Sequence, residues 1–178
     1  LAERLGLSKS AIYHHFASKE QMLEVALGMA LDALEAVFEQ PGATSGPIVD
    51  RIRHVIRGAV LVLCERTPFV TLLLRLRGNT PIELEAMRRR REIDAKLRAL
   101  FEASRDEGTL RADMEPRIAE RLTFGMVNSI VEWYRPDGPF TPEQLAESVL
   151  ELVRTGGIHD SETISCLMLA GLALGRIG

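Results

Sequence analysis

Three helix-start signals of the same kind divide this sequence and limit what it can fold into. Each is a serine or threonine followed three residues later by glutamate or glutamine, and the pairs are Ser18 with Gln21, Thr80 with Glu83 and Thr141 with Gln144. In such a capping box the hydroxyl accepts a hydrogen bond from the third backbone N–H of the helix, and the longer side chain bonds back. Proline follows the threonine in the second and third pairs, where a helix start favours it. The chain is therefore predicted to contain helices that begin at these points.

Apolar residues between these signals recur with the period of a helix. Ile48, Ile52, Val55 and Ala59 show the three- and four-residue spacing, and proline or glycine interrupts the pattern at intervals. No segment shows the alternation that is typical of a β-strand. A chain of 178 residues that is 46% hydrophobic and 26% charged has the composition of a globular protein with a sizeable core. We predict an all-α fold.

Net charge and cysteine content argue against several classes of protein. A formal net charge of −3 does not suit a protein that coats nucleic acid without selectivity, so DNA binding has to come from a local patch. The two cysteines, Cys64 and Cys166, lie in apolar surroundings, which favours a reducing cytoplasm over a disulfide framework. No apolar run reaches the roughly 20 residues that span a bilayer, and no signal peptide is recognisable, so no membrane association is expected.

Residues 1–20 have the pattern of a helix, a tight turn and a second helix. Gly6 can take the positive φ of a turn, and Ser8 is a suitable N-cap for the second helix. On this helix Ile12 and Phe16 are predicted to point inward, one turn apart. The opposite face then carries lysine, serine, tyrosine and histidine side chains, which can donate hydrogen bonds to base edges and phosphates in a DNA major groove.

The sequence GLSKSAIYHHFASKE at residues 6–20 resembles the recognition-helix signature of the TetR family of transcriptional regulators. The resemblance implies a double-stranded DNA operator as partner, with the second helix in its major groove. It implies phosphate contacts from Ser8, Tyr13, His15 and Lys19, and base contacts from Lys9, Ser10 and His14. The family has a further helix before this point, so residues 1–24 are expected to form a partial helix-turn-helix domain without its first helix.

The resemblance continues more weakly to about residue 157. It implies a ligand-binding and dimerisation domain at residues 25–157, whose last two helices form a homodimer interface. An apolar tail follows at residues 158–178, either as an extra helix or as a segment foreign to the fold. The residues at helical spacing that suit the interface are Ile118, Leu122, Gly125, Ser129, Trp133, Leu145, Val149, Leu152 and Val153. The same stripes also suit an internal core, because periodicity does not show which surface covers them.

The turn at residues 133–139, WYRPDGP, is similar to that of regulators of steroid-ring and aromatic-acid catabolism, whose inducers are coenzyme A thioesters. This similarity implies a small apolar effector, with an acyl-coenzyme A as the specific candidate. Arginines suit its phosphates, and polar side chains among apolar helices can orient it. The predicted ligand contacts are Cys64, Thr71, Arg75, Arg88, Arg91 and Asn128. The alternative is that the arginines at 88–91 form a solvated face and the polar side chains bond to their own helices.

The predicted function is that of a ligand-responsive transcriptional regulator. We expect a repressor that binds a palindromic operator as a dimer and leaves it when the effector binds, without a cofactor. Two alternatives stay open: a sensor of hydrophobic drugs or metabolites within the same family, and a helical adaptor without DNA binding. An enzyme is disfavoured because His54 and His159 have no persuasive catalytic partner at helical spacing. Metal binding by His14 and His15 is disfavoured because adjacent helical residues point about 100° apart.

Overall fold

The computed structural model describes residues 18–156, and the regular structure in this range is helical. Its seven helices are α1 (Lys19–Glu39), α2 (Pro41–Thr44), α3 (Ile48–Glu65), α4 (Thr67–Leu74), α5 (Pro81–Asp106), α6 (Pro116–Trp133) and α7 (Pro142–Gly156). The prediction of an all-α fold is confirmed for these residues. Not one of these seven helices is both long enough and apolar enough to cross a membrane.

The three predicted capping boxes begin α1, α5 and α7. The Ser18 hydroxyl accepts a hydrogen bond from the backbone N–H of Gln21 at 3.1 Å. The Thr80 hydroxyl accepts one from the N–H of Glu83 at 3.2 Å. The third box is reciprocal, since the Thr141 hydroxyl accepts from the N–H of Gln144 at 3.2 Å and the Gln144 side chain accepts from the N–H of Thr141 at 2.9 Å. These bonds satisfy backbone donors that a helix start leaves unpaired.

Helix α3 lies at the centre of the described structure and contacts the other six helices. Its residues Ile52, Val55 and Ile56 are completely buried. Helix α1 packs directly on the backbone of α3 at Gly58, where an added Cβ would lie 2.4 Å from Cγ1 of Val37. A larger residue at this position would push α1 away, so glycine fixes the spacing between the two helices.

A cluster of ionic hydrogen bonds ties α1 to α5. Arg89 on α5 donates through Nε to one carboxylate oxygen of Glu35 at 2.9 Å and through Nη2 to the other at 2.7 Å. Its Nη2 also donates to Asp32 at 2.6 Å. The arginine side chain is only 24% exposed, so these bonds are partly shielded from water. Two parallel bonds to one carboxylate fix orientation as well as distance, and α1 is thereby held to α5.

Candidate functional site

An apolar cavity lies between α1, α3, α4, α5 and α6. Each of these helices contributes to its wall, which includes Leu34, Leu63, Val70, Leu73, Ile93 and Val127. The cavity is narrow in this structure, with a volume of about 40 Å³. Its lining has few polar groups, so it suits an apolar ligand portion.

A second, larger concavity lies between α5 and α6, and we call it the arginine groove. It has a volume of about 430 Å³ and is lined by five arginines, Arg90, Arg91, Arg98, Arg117 and Arg121. Two carboxylates, Asp94 and Glu120, also line it. Five cationic side chains against two acidic ones give the groove a formal charge of +3, which favours an anionic ligand portion.

The apolar cavity and the arginine groove lie next to each other. Four residues line both of them: Arg90 and Asp94 on α5, and Phe124 and Asn128 on α6. We call this set the junction. A single ligand can therefore place an apolar part in the cavity and an anionic part in the groove, with its middle at the junction.

The two carboxylates of the groove are poorly solvated. Burial raises the pKa of Glu120, and the nearby charge of Asp94 raises it further, against the opposite influence of neighbouring arginines. Burial also raises the pKa of Asp94, although Arg90, Arg98 and Arg121 oppose this shift. Direct pairing in the groove is loose, since Arg98 Nε lies 3.9 Å from Glu120 Oε2. That Nε is buried without a hydrogen-bond acceptor among the described residues.

Of the other four arginines of the groove, Arg90, Arg117 and Arg121 act on its carboxylates only at longer range. Within residues 18–156, no ion pair or side-chain hydrogen bond joins Arg90, Arg91, Arg117 or Arg121 to a carboxylate. The positive charge of the groove is therefore available to a bound anion.

Two of the six predicted ligand residues line this site. Arg91 lies in the groove and Asn128 at the junction. The other two predicted arginines lie elsewhere: Arg88 forms ion pairs with Glu85 and Glu92 on the outer side of α5. Arg75 is exposed and lies 3.7 Å from Glu132.

Cys64 and Thr71 also lie outside both concavities. Burial raises the pKa of the Cys64 thiol to about 11, with a further contribution from the charge of Glu143 at the start of α7. Cys64 is thus buried on α3, within electrostatic range of the start of α7. The Thr71 hydroxyl donates to the backbone carbonyl of Thr67 at 2.6 Å, as the alternative interpretation of such residues anticipated.

Sequence reasoning missed most of the groove, although a local signal for it exists. Arg90, Asp94 and Arg98 follow one another at four-residue spacing on α5, and Arg117 and Arg121 do so on α6. Residues four apart share one face of a helix, so each helix presents a charged stripe. The pairing of the two stripes depends on how α5 packs on α6, which no local pattern encodes.

The predicted interface residues of α6 form an exposed face. Ile118 is 52% exposed, Leu122 63% and Trp133 50%. Ser129 is also exposed, and a Cβ added at Gly125 would meet no atom within 4 Å. An exposed apolar stripe of this size on one helix is typical of a surface that another protein covers.

The predicted interface stripe of α7 divides between two surfaces. Leu152 is 59% exposed and Val153 is half-buried, and both line an apolar groove beside Leu122. Leu145 and Val149 are instead buried within the chain, because that side of α7 covers α3. The prediction assigned all four to the dimer interface, with an internal core as the alternative, and Leu145 and Val149 lie in the core.

Lys19 is the one predicted DNA contact that lies within the described residues. It is the first residue of α1 and is exposed. The remaining six, Ser8, Lys9, Ser10, Tyr13, His14 and His15, lie outside the described residues, as does the tail at residues 158–178.

Two family models match the chain. The model described as "Tetracyclin repressor-like, C-terminal domain" matches residues 45–156, and the model described as "Bacterial regulatory proteins, tetR family" matches residues 1–26. The chain therefore belongs to the TetR family of transcriptional regulators, which confirms the resemblance of its recognition-helix residues. Members of this family regulate transcription.

Individual relatives agree with this assignment. SCO3833, a TetR-family regulator from Streptomyces coelicolor A3, is 44% identical, with a TM-score of 0.77 over 89% of this chain and 80% of that one. The transcriptional repressor KstR2 of Mycolicibacterium smegmatis is 26% identical over 166 residues, which are 91% of this chain and 80% of KstR2. The fold also matches AibR, solved with isovaleryl coenzyme A and operator DNA, at 23% identity and a TM-score of 0.69 over 85% of this chain and 83% of AibR.

Proposed function

We propose that this protein is a dimeric repressor that leaves a palindromic operator when an acyl-coenzyme A thioester binds it. The observation that carries the proposal is the junction, whose four residues line both the apolar cavity and the arginine groove. A coenzyme A thioester has an apolar acyl chain at one end and phosphates at the other, so its two ends match the two concavities. The complex of AibR with isovaleryl coenzyme A supports the choice of a coenzyme A thioester over other anionic ligands.

The small volume of the cavity couples ligand binding to DNA binding, because a ligand has to displace the walls of the cavity. The volume of about 40 Å³ has room for only a few water molecules, since a cavity needs roughly 10–15 Å³ by this measure to hold one, and it is therefore too small for an extended acyl chain. The walls must move apart when the ligand enters, and Leu34 places α1 among those walls. Helix α1 begins at Lys19, within the proposed reading head at residues 1–24, so its displacement changes the position of that head. The ligand releases DNA only to the extent that it binds the displaced arrangement more tightly.

The proposed dimer uses the exposed face of α6 and the outer residues of α7. Ile118, Leu122, Trp133 and Leu152 are all at least half exposed in the single chain, and burial between two copies would remove them from water. A twofold dimer places two reading heads side by side, and a palindromic operator has the same symmetry. In each head we assign Ser8, Tyr13, His15 and Lys19 to phosphates and Lys9, Ser10 and His14 to bases.

The proposal is tested by titrating operator-bound protein with three kinds of compound. The compounds are a panel of coenzyme A thioesters with straight, branched and ring-bearing acyl chains, the matching free acids, and coenzyme A alone. We expect release by at least one thioester at a concentration that leaves its free acid and coenzyme A without effect, as followed by fluorescence anisotropy of labelled operator.

Two results would contradict the proposal. Release by uncharged apolar compounds but by no thioester would assign the protein to sensors of hydrophobic drugs or metabolites, since only the apolar cavity would then be used. A folded protein that binds no genomic DNA fragment in a selection experiment would instead be a helical adaptor.

A further inference from the structure

Asp94 is an acidic residue in the middle of a site that otherwise suits an anion. It belongs to the junction and faces both the apolar cavity and the arginine groove. Within residues 18–156, no hydrogen bond or ion pair occupies its carboxylate oxygens. The carboxylate therefore keeps its full capacity to accept hydrogen bonds at the point that a bound ligand must pass.

The surroundings of Asp94 strengthen its electrostatic interaction with a bound ligand. Arg90 and Arg98 lie one turn away on either side along α5, and Arg121 acts on it from α6. Burial nevertheless outweighs these three arginines and raises the pKa of Asp94, so none of them compensates the charge fully. In a poorly solvated position a charge interacts more strongly with its neighbours than in water. A ligand group next to Asp94 is therefore discriminated by its charge and by its hydrogen-bonding character.

We propose that Asp94 selects the ligand at the junction by accepting a hydrogen bond from an amide N–H and by repelling a carboxylate. This inference rests on the proposed thioester function and names the residue that separates a thioester from its free acid. In a coenzyme A thioester the acyl carbonyl is neutral, and the arm beyond the sulfur carries amide N–H groups. A free acid with the same acyl chain instead places a negatively charged carboxylate where the neutral thioester carbonyl would lie.

The first test measures the affinities of a thioester and of its free acid for the wild-type protein and for Asp94→Asn. Asparagine keeps the size of the side chain and removes the charge. We expect the free acid to bind at least about tenfold more tightly to the variant, and the preference for the thioester to narrow by roughly tenfold to a hundredfold, since a hydrogen bond to a charged group has this range. Isothermal titration calorimetry gives both affinities without DNA. Glu92→Gln, a neutralised carboxylate on the outer side of α5, is the matched control and should keep the wild-type preference.

If folded Asp94→Asn keeps the wild-type preference for the thioester over the free acid, the inference is overturned. If the variant does not fold, a second measurement on the wild-type protein decides. It compares two short thioesters with the same acyl chain, one ending in an N-acetyl amide and the other in the O-acetyl ester that lacks the N–H. We expect the amide to bind about tenfold or more tightly, and equal binding would contradict the inference. A wild-type protein that binds no coenzyme A thioester would refute the proposed function itself, whereas thioester binding with an unchanged preference refutes only the role of Asp94.

Discussion

Removing positive charge from the arginine groove should weaken thioester binding by about two orders of magnitude. The perturbation is the double variant Arg91→Gln, Arg121→Gln, which takes one cation from α5 and one from α6. Both side chains line the groove and are exposed, and neither forms an ion pair or a hydrogen bond with a carboxylate among the described residues. Two unit charges about 5 Å apart interact by roughly 0.8 kcal/mol in water and by about 3 kcal/mol at the effective dielectric constant of a protein surface.

The groove is open to solvent, so a value in the lower part of this range applies. About 1.4 kcal/mol for each arginine corresponds to a tenfold loss of affinity for each, and to about a hundredfold for both. The losses should shrink at high salt, because screening weakens interactions between exposed charges.

Isothermal titration calorimetry with the tightest-binding coenzyme A thioester measures this loss, and Arg88→Gln serves as the control. Arg88 lies on the same helix and carries the same charge, but it pairs with Glu85 and Glu92 outside the groove. Its replacement should leave thioester affinity within about twofold of the wild type. Wild-type affinity in the double variant, or an equal loss in Arg88→Gln, would show that the phosphates do not bind in the arginine groove.

Three further predictions concern the dimer, the reading head and the contact between α1 and α5. Ser129→Arg is expected to give monomers in sedimentation at micromolar concentration, because it places a charge in the exposed face of α6; Ala36→Arg on the exposed side of α1 should remain dimeric, and a dimeric Ser129→Arg would refute the interface. The double variant Tyr13→Ala, Lys19→Ala should bind every operator sequence more weakly and with a lower salt dependence, since phosphate contacts release counterions. Unchanged operator affinity in the folded variant would contradict the assignment of these two residues to phosphates. Arg89→Gln should lower the free energy of unfolding in urea by about 1–2 kcal/mol, because it removes ionic hydrogen bonds to α1; a loss below about 0.3 kcal/mol would show that these bonds contribute little.

Local signals in the sequence were sufficient to locate the helices. Ser18, Thr80 and Thr141 begin α1, α5 and α7 as predicted, because a capping box depends only on residues within one turn. Pro41, one of the prolines that interrupt the apolar pattern, starts the single short turn α2 after α1. Gly108 follows α5 with a φ of +73°, a conformation that is typical of a glycine at the end of a helix.

The four arginines at residues 88–91 show what the local sequence does not determine, namely which neighbour each side chain contacts. Successive helical residues turn by about 100°, so the four side chains had to diverge. The structure shows Arg88 among glutamates on the outer side, Arg89 against α1, Arg90 at the junction and Arg91 in the groove. The neighbour that each arginine side chain contacts depends on the packing of α5 against α1 and α6. For the same reason the sequence did not separate Leu145 and Val149, which cover α3, from the exposed Leu152.

The central claim is that thioester and operator bind to different arrangements of one protein, and a reciprocal binding measurement tests it most directly. The dissociation constant of the thioester is measured on free protein and on operator-bound protein, and that of the operator with and without saturating thioester. Linkage requires both constants to rise by the same factor, and a factor between about 5 and 150 is typical of allosteric coupling. We predict equal factors in this range. A thioester that binds free and operator-bound protein with the same affinity would contradict the claim, because such a ligand cannot shift the equilibrium between the two arrangements.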